Sequence, residues 1–176
     1  MKPSFSLAAA SCLLVAAVAA QAQEILPGLW ELSSSNMQVN GQQMPGMQEL
    51  LGQLESLPAE QRQMMQEMMD GQGVQVGGQG LRVCLSEAQV KAQELPLQDA
   101  QSGCSQEITE RSEQLWKFRF RCADAEGQGE TRFVSPREFV TRVDSRFNTG
   151  GQAGTSRMET RARWLGEDCG ELKPRS

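Results

Sequence analysis

The chain contains no histidine and no tyrosine. The missing histidine excludes a Ser-His-Asp triad, a Cys-His pair, imidazole metal ligation and an imidazole general base. Lysine is scarce too: after residue 22 only Lys91, Lys117 and Lys173 remain. No C-x-x-C is present, and the glycine clusters do not follow a phosphate-loop pattern. Acidic neighbours such as Glu167-Asp168, or Asp124 with Glu126, fall in expected loops, and nothing nominates them as an acid/base pair. The reading is therefore a protein without catalytic residues, cofactor or metal ligands. Past residue 22 no stretch approaches the ~20 apolar residues of a membrane-crossing helix, so no span is expected there.

The first 22 residues have the anatomy of a secretory signal. Lys2 supplies the positive end, Leu7 to Ala20 is small and apolar, and Ala20-Gln21-Ala22 suits signal peptidase. Cleavage is expected after Ala22, leaving one periplasmic or secreted domain over 23–176. Cys12 follows Ala9-Ala10-Ser11, but the apolar run before it is too short for a lipid-attachment site.

The expected mature chain keeps Cys84, Cys104, Cys122 and Cys169. An even set in an oxidising compartment reads as disulfides rather than as a metal or redox site. A hairpin turning at Ser112-Glu113 would set Cys104 almost opposite Cys122, leaving Cys84 for Cys169. Sequence alone still leaves three pairings open.

Pro27-Gly28 leads into a strand reaching Val39, and Asn40-Gly41 signals a hairpin. A helical insertion is expected over 47–70, with Pro58 opening its second half. Met64, Met65, Met68 and Met69 form one broad helical stripe. Leu81 to Leu85 reads as a strand, followed by a short helix to about Gln93, capped by Ser86 with Gln89. From Cys104 the period changes to two. Trp116, Phe118 and Phe120 alternate with Lys117, Arg119 and Arg121, and two later strands repeat the pattern against Arg142, Arg146, Arg157, Arg161 and Arg163. This predicts an antiparallel meander over 104–164.

Charge is unevenly spread. Residues 23–114 hold 13 acidic and 4 basic residues, net −9, whereas 115–176 hold 9 and 12, net +3. The mature total of −6 gives no general field for nucleic acid. An acidic half lying over a basic sheet is one expectation from this asymmetry. Recognition of anionic headgroups or glycan phosphates by the arginine face is a second reading. Methionine thioethers suit Cu(I), but a soft apolar face packing on the sheet or gripping a partner explains the stripe better.

Several segments together resemble an exported bacterial family called domain of unknown function 3617. They are Pro27-Gly28-Leu29-Trp30-Glu31, Pro58-Ala59-Glu60-Gln61-Arg62, Cys84-Leu85-Ser86-Glu87-Ala88, the Cys104 and Cys122 pair, and Arg163-Trp164-Leu165-Gly166-Glu167-Asp168-Cys169-Gly170. The resemblance covers essentially the whole mature chain and implies a small β-rich periplasmic domain with no assigned activity. Glu167 is an extra residue in the closing motif.

The expected fold is α+β and mainly β: a curved, half-barrel-like antiparallel meander with the Met-rich helical segment packed on it. Two functions fit such a shape. An apolar or lipid-like ligand could sit against Trp116, Phe118, Phe120, Phe139 and Trp164. Alternatively, Met64, Met65, Met68 and Met69 could form the contact face for another envelope protein.

Overall fold

The computed structural model describes residues 25–92 and 103–174. The expected signal segment 1–22, and the expected helix end at Gln93, lie outside the described residues. Strand β1 spans Gly28–Val39 and β2 Gln42–Gln43; helix α1 spans Met47–Glu55 and α2 Ala59–Gly71. Then come β3 (Val74–Val76), β4 (Leu81–Leu85), α3 (Glu87–Lys91), β5 (Ser105–Arg111), β6 (Leu115–Arg121), β7 (Ala125–Ser135), β8 (Glu138–Thr149) and β9 (Gln152–Gly166).

The described strands form one antiparallel sheet in the order β3-β4-β1-β9-β8-β7-β6-β5, with β2 turning back on β1. It is open rather than closed into a barrel. The β5-to-β9 meander follows from short turns between period-two strands. The N-terminal β1 then pairs with the last strand, β9, across nearly its whole length. Asn40 and Gly41 take φ of 52° and 77°, the left-handed pair that a tight β1–β2 hairpin needs. The sheet is therefore mainly β with a few helices, as the alternation predicts. It has nine strands, of which β2 and β3 are short additions to the meander and its N-terminal partners.

The period-two reading places side chains correctly. Trp30 and Phe139 are fully buried, 5.2 Å apart between ring centroids. Phe133 joins Phe139 to Trp116, and Leu32, Val83, Leu85 and Ala162 complete the core. Below these rings runs a buried hydroxyl row. Thr131 and Thr141 share a 2.9 Å hydrogen bond, and Ser34 lies 3.1 Å from Thr160. Cross-strand hydroxyl pairs satisfy each other, the Thr131–Thr141 pair fully buried and Ser34 half-buried at the end of the row. Gly28 holds φ of 122° against the Gly166 carbonyl, where a Cβ has no room.

Both disulfides bond the pairs that the hairpin argument favours, Cys84 with Cys169 and Cys104 with Cys122. A bulge between Ile108 and Glu110 shifts the β5–β6 register by one residue. That shift sets Cys104 directly opposite Cys122, with Cα atoms 4.2 Å apart. The capping box also forms: the Gln89 amide donates to Ser86 Oγ, and the Ser86 amide donates to Gln89 Oε1.

The helices depart from expectation. Neither α1 nor α2 contains a buried residue, and their principal neighbours are β1 and β3. They stand beside the first strands as an arm rather than covering the aromatic meander. The arginine face also differs from a basic sheet under an acidic half. Arg142 pairs with Glu159, Arg157 with Asp144 and Arg161 with Glu138, all at 2.6 Å and all within β8 and β9. Carboxylates directly opposite (Glu159, Asp144) or diagonal (Glu138) on the neighbouring strand reach the guanidinium groups first.

Candidate functional site

Three surfaces bear on function: the aromatic face, the arm, and an open cavity at the far end of the sheet. The five expected ligand-facing residues separate. Trp116 is 3% exposed, edge-on to Phe133 and under the Arg111 guanidinium at 4.6 Å. Phe139 is central to the core, and Phe118 lies over Gly129, where a Cβ would strike its ring. Trp164 is half-buried; its indole N–H donates to the Pro27 carbonyl at 3.0 Å, and Arg137 lies 5.0 Å over the ring. Phe120, half-buried over Gly127, is the one of the five that borders the cavity. The other four are engaged by protein neighbours.

The methionine stripe divides as well. Met65 and Met69, one turn apart, are half-buried on the side facing the rest of the protein. Met64 and Met68, also one turn apart, are 67% and 63% exposed. Leu50 and Met44 add further exposed apolar surface in the same region of chain. Residues 47–71 hold five acidic residues and only Arg62 as a base. The arm is thus an apolar edge in an acidic setting. Such a pairing of charge and exposed thioethers suits a partner with an apolar groove and a basic rim.

The cavity, of about 860 Å³, crosses the far halves of β5 to β9 and reaches β1. Pairing register builds it. One row runs Ser105, Arg121, Glu126, Arg146 and Thr155 across β5 to β9. The next runs Glu107, Arg119, Gln128, Asp144 and Arg157 and ends at Gln38 on β1. Both rows belong to the charged side of the sheet, and the row between them, Gln106, Phe120, Gly127, Ser145 and Ser156, also borders the cavity, whose lining is mostly polar. Sequence reading found each arginine but missed their convergence, because convergence depends on five strand registers at once. The signal available was the matched spacing of acid and base along successive strands.

Two cations of the charged face have raised pKa values. Lys117 is raised first by its 2.7 Å hydrogen bond to Glu110 and then by that carboxylate's charge. Arg142 is raised in the same way by Glu159. Among the described residues no cluster of three potential metal ligands occurs, and no helix is long and apolar enough to cross a membrane.

Residues 25–169 match the family described as protein of unknown function DUF3617. The chain belongs to that family. A Pseudomonas putida member of the curated proteins, described as an uncharacterized protein in the lpd-3 5'region, is 52% identical over 121 residues. That match covers 69% of this chain and 85% of the relative. No solved structure matches the chain. The resemblance read from the opening Pro27-Gly28, the cysteines and the closing Cys169 motif is therefore to the right family. DUF3617 membership itself assigns no activity.

Proposed function

We propose that this protein is a non-enzymatic envelope protein, exported to the periplasm, that docks a partner protein through the outer edge of its helical arm. The observation that carries the reading is the exposure of Met64 and Met68, held one turn apart on a helix that has no fully buried residue. Large apolar side chains presented together away from a core mark interaction surfaces. Export is supported by the signal-like segment and by two disulfides, which persist in oxidising compartments. Of the two functions open from the sequence, the apolar-ligand reading has less behind it. Four of its five residues already contact protein groups.

A photo-activatable side chain at position 64 tests the reading in intact cells. The expected result is one discrete protein adduct, lost when Met68→Glu is added. No adduct at position 64 would sink the arm as a docking face. Native mass spectrometry of the periplasmic protein decides the competing reading. A lipid-sized adduct that disappears on denaturation would restore an apolar ligand.

A further inference from the structure

We propose that the cavity across the far end of the sheet is a binding site for a phosphate-bearing anion. It lies on strands β5 to β9 and β1 and does not involve the arm, so it stands independently of the docking reading. Arg119, Arg121, Arg146 and Arg157 line it. Arg157 Nε holds Asp144 at 2.6 Å, and Arg121 Nε approaches Glu126 at 3.6 Å. Among the described residues, Arg119 and Arg146 hold no ion pair, and no terminal guanidinium nitrogen of the four donates a hydrogen bond.

Elsewhere on the sheet several guanidinium groups are held by neighbouring carboxylates, while Arg163 donates to Gln79. Arg142 and Arg161 lie one or two rows away and are closely paired. At the cavity the supply of acids falls short, leaving four cations against Glu107, Glu126 and Asp144. A local positive excess in a chain of net charge −5 is a feature of placement, not of composition. The donors come from β6, β8 and β9, on one face of the sheet, and so border the cavity on more than one side. A tetrahedral phosphate offers acceptor oxygens on more than one side, whereas a planar carboxylate is satisfied by one guanidinium fork. Gln128 and Thr155 in the same rows add neutral hydrogen-bonding groups.

A phosphodiester lipid headgroup and a soluble phosphorylated ligand share this chemistry, and two probes separate them. The mature protein is titrated with inorganic phosphate at low ionic strength, then sedimented with phosphatidylglycerol vesicles and with phosphatidylcholine vesicles. Saturable phosphate binding is expected, weakened about tenfold or more in R119Q/R146Q. R161Q, whose arginine pairs with Glu138 outside the cavity, should stay within about twofold of the parent. Sedimentation with phosphatidylglycerol alone, lost in R119Q/R146Q, assigns the lipid headgroup. Phosphate binding without sedimentation assigns a soluble phosphorylated ligand. The double variant removes no ion pair, so its melting temperature should match the parent; if it does not, R146Q alone replaces it. Absence of saturable phosphate binding, or equal weakening in R161Q, would overturn the site.

Discussion

Trp30 and Phe139 are completely buried in the sheet, whereas α1 and α2 bury no residue at all. Both regions carry large apolar side chains at the correct period for their element. The difference lies in what each has to pack against. In the sheet, the rings of Trp30, Trp116, Phe133 and Phe139 meet one another across the strands. In the arm, only one edge of the stripe finds a neighbour, and the other edge stays in solvent. Stability is therefore concentrated in the sheet, while the arm is free to vary without unfolding it.

The largest test of that contrast is Phe139→Ala. Removing a wholly buried ring between Trp30 and Phe133 should cost about 3–5 kcal/mol, read by denaturant unfolding. The two disulfides come next. Replacing a bonded pair by serines should cost about 2–5 kcal/mol for Cys84–Cys169, whose partners are 85 residues apart. Cys104–Cys122 spans only 18 residues and closes a hairpin already paired along its length. Loop-closure entropy ranks it lower by ~1.4 kcal/mol. An equal loss from the two pairs would mean that local strain, not loop length, sets the order.

What the residues alone could show follows the same division. Alternation along Trp116-Lys117-Phe118-Arg119-Phe120 identifies both the strand and its buried side, because a strand's period is local. The cysteine pairing was nearly readable for a similar reason: Cys104 and Cys122 flank one hairpin. The bulge between Ile108 and Glu110 was not readable, yet it supplies the final residue of register. The arm's helices were legible from the Leu and Met spacing, but their docking was not. A stripe says which side of a helix is apolar, not whether a surface lies opposite it. The cavity was least legible, since its arginines sit on three strands and meet only through registers set elsewhere.

The methionine edges give a smaller effect that sharpens the comparison directly. Met65→Gln with Met69→Gln alters the half-buried edge and should cost about 1–2 kcal/mol. Met64→Gln with Met68→Gln alters the exposed edge and should stay within about 0.5 kcal/mol of the parent. With the photo-activatable side chain at position 64, Met68→Gln alone should weaken the partner adduct. If both double variants destabilise equally, the arm packs on the sheet more fully than its exposure implies.

The smallest effect concerns the charged face of the sheet itself. Lys117 on β6 and Glu110 on β5 lie directly opposite, joined at 2.7 Å, and both are about half exposed. The hydrogen bond and the charge of Glu110 favour protonated Lys117, so its folded pKa is raised. A raised lysine contributes stability that is fully present below the unfolded value, about 10.4. The contribution disappears as pH climbs through the higher folded pKa. Stability should thus be insensitive to this pair across neutral pH and decline slightly in strong alkali. NMR titration of the Lys117 side chain should show the upward shift in the parent and its loss in Glu110→Gln. Adding salt should shrink the shift, because an exposed pair is screened. A shift that persists in Glu110→Gln would place its cause elsewhere on the face, with Glu130 the next nearest contributor.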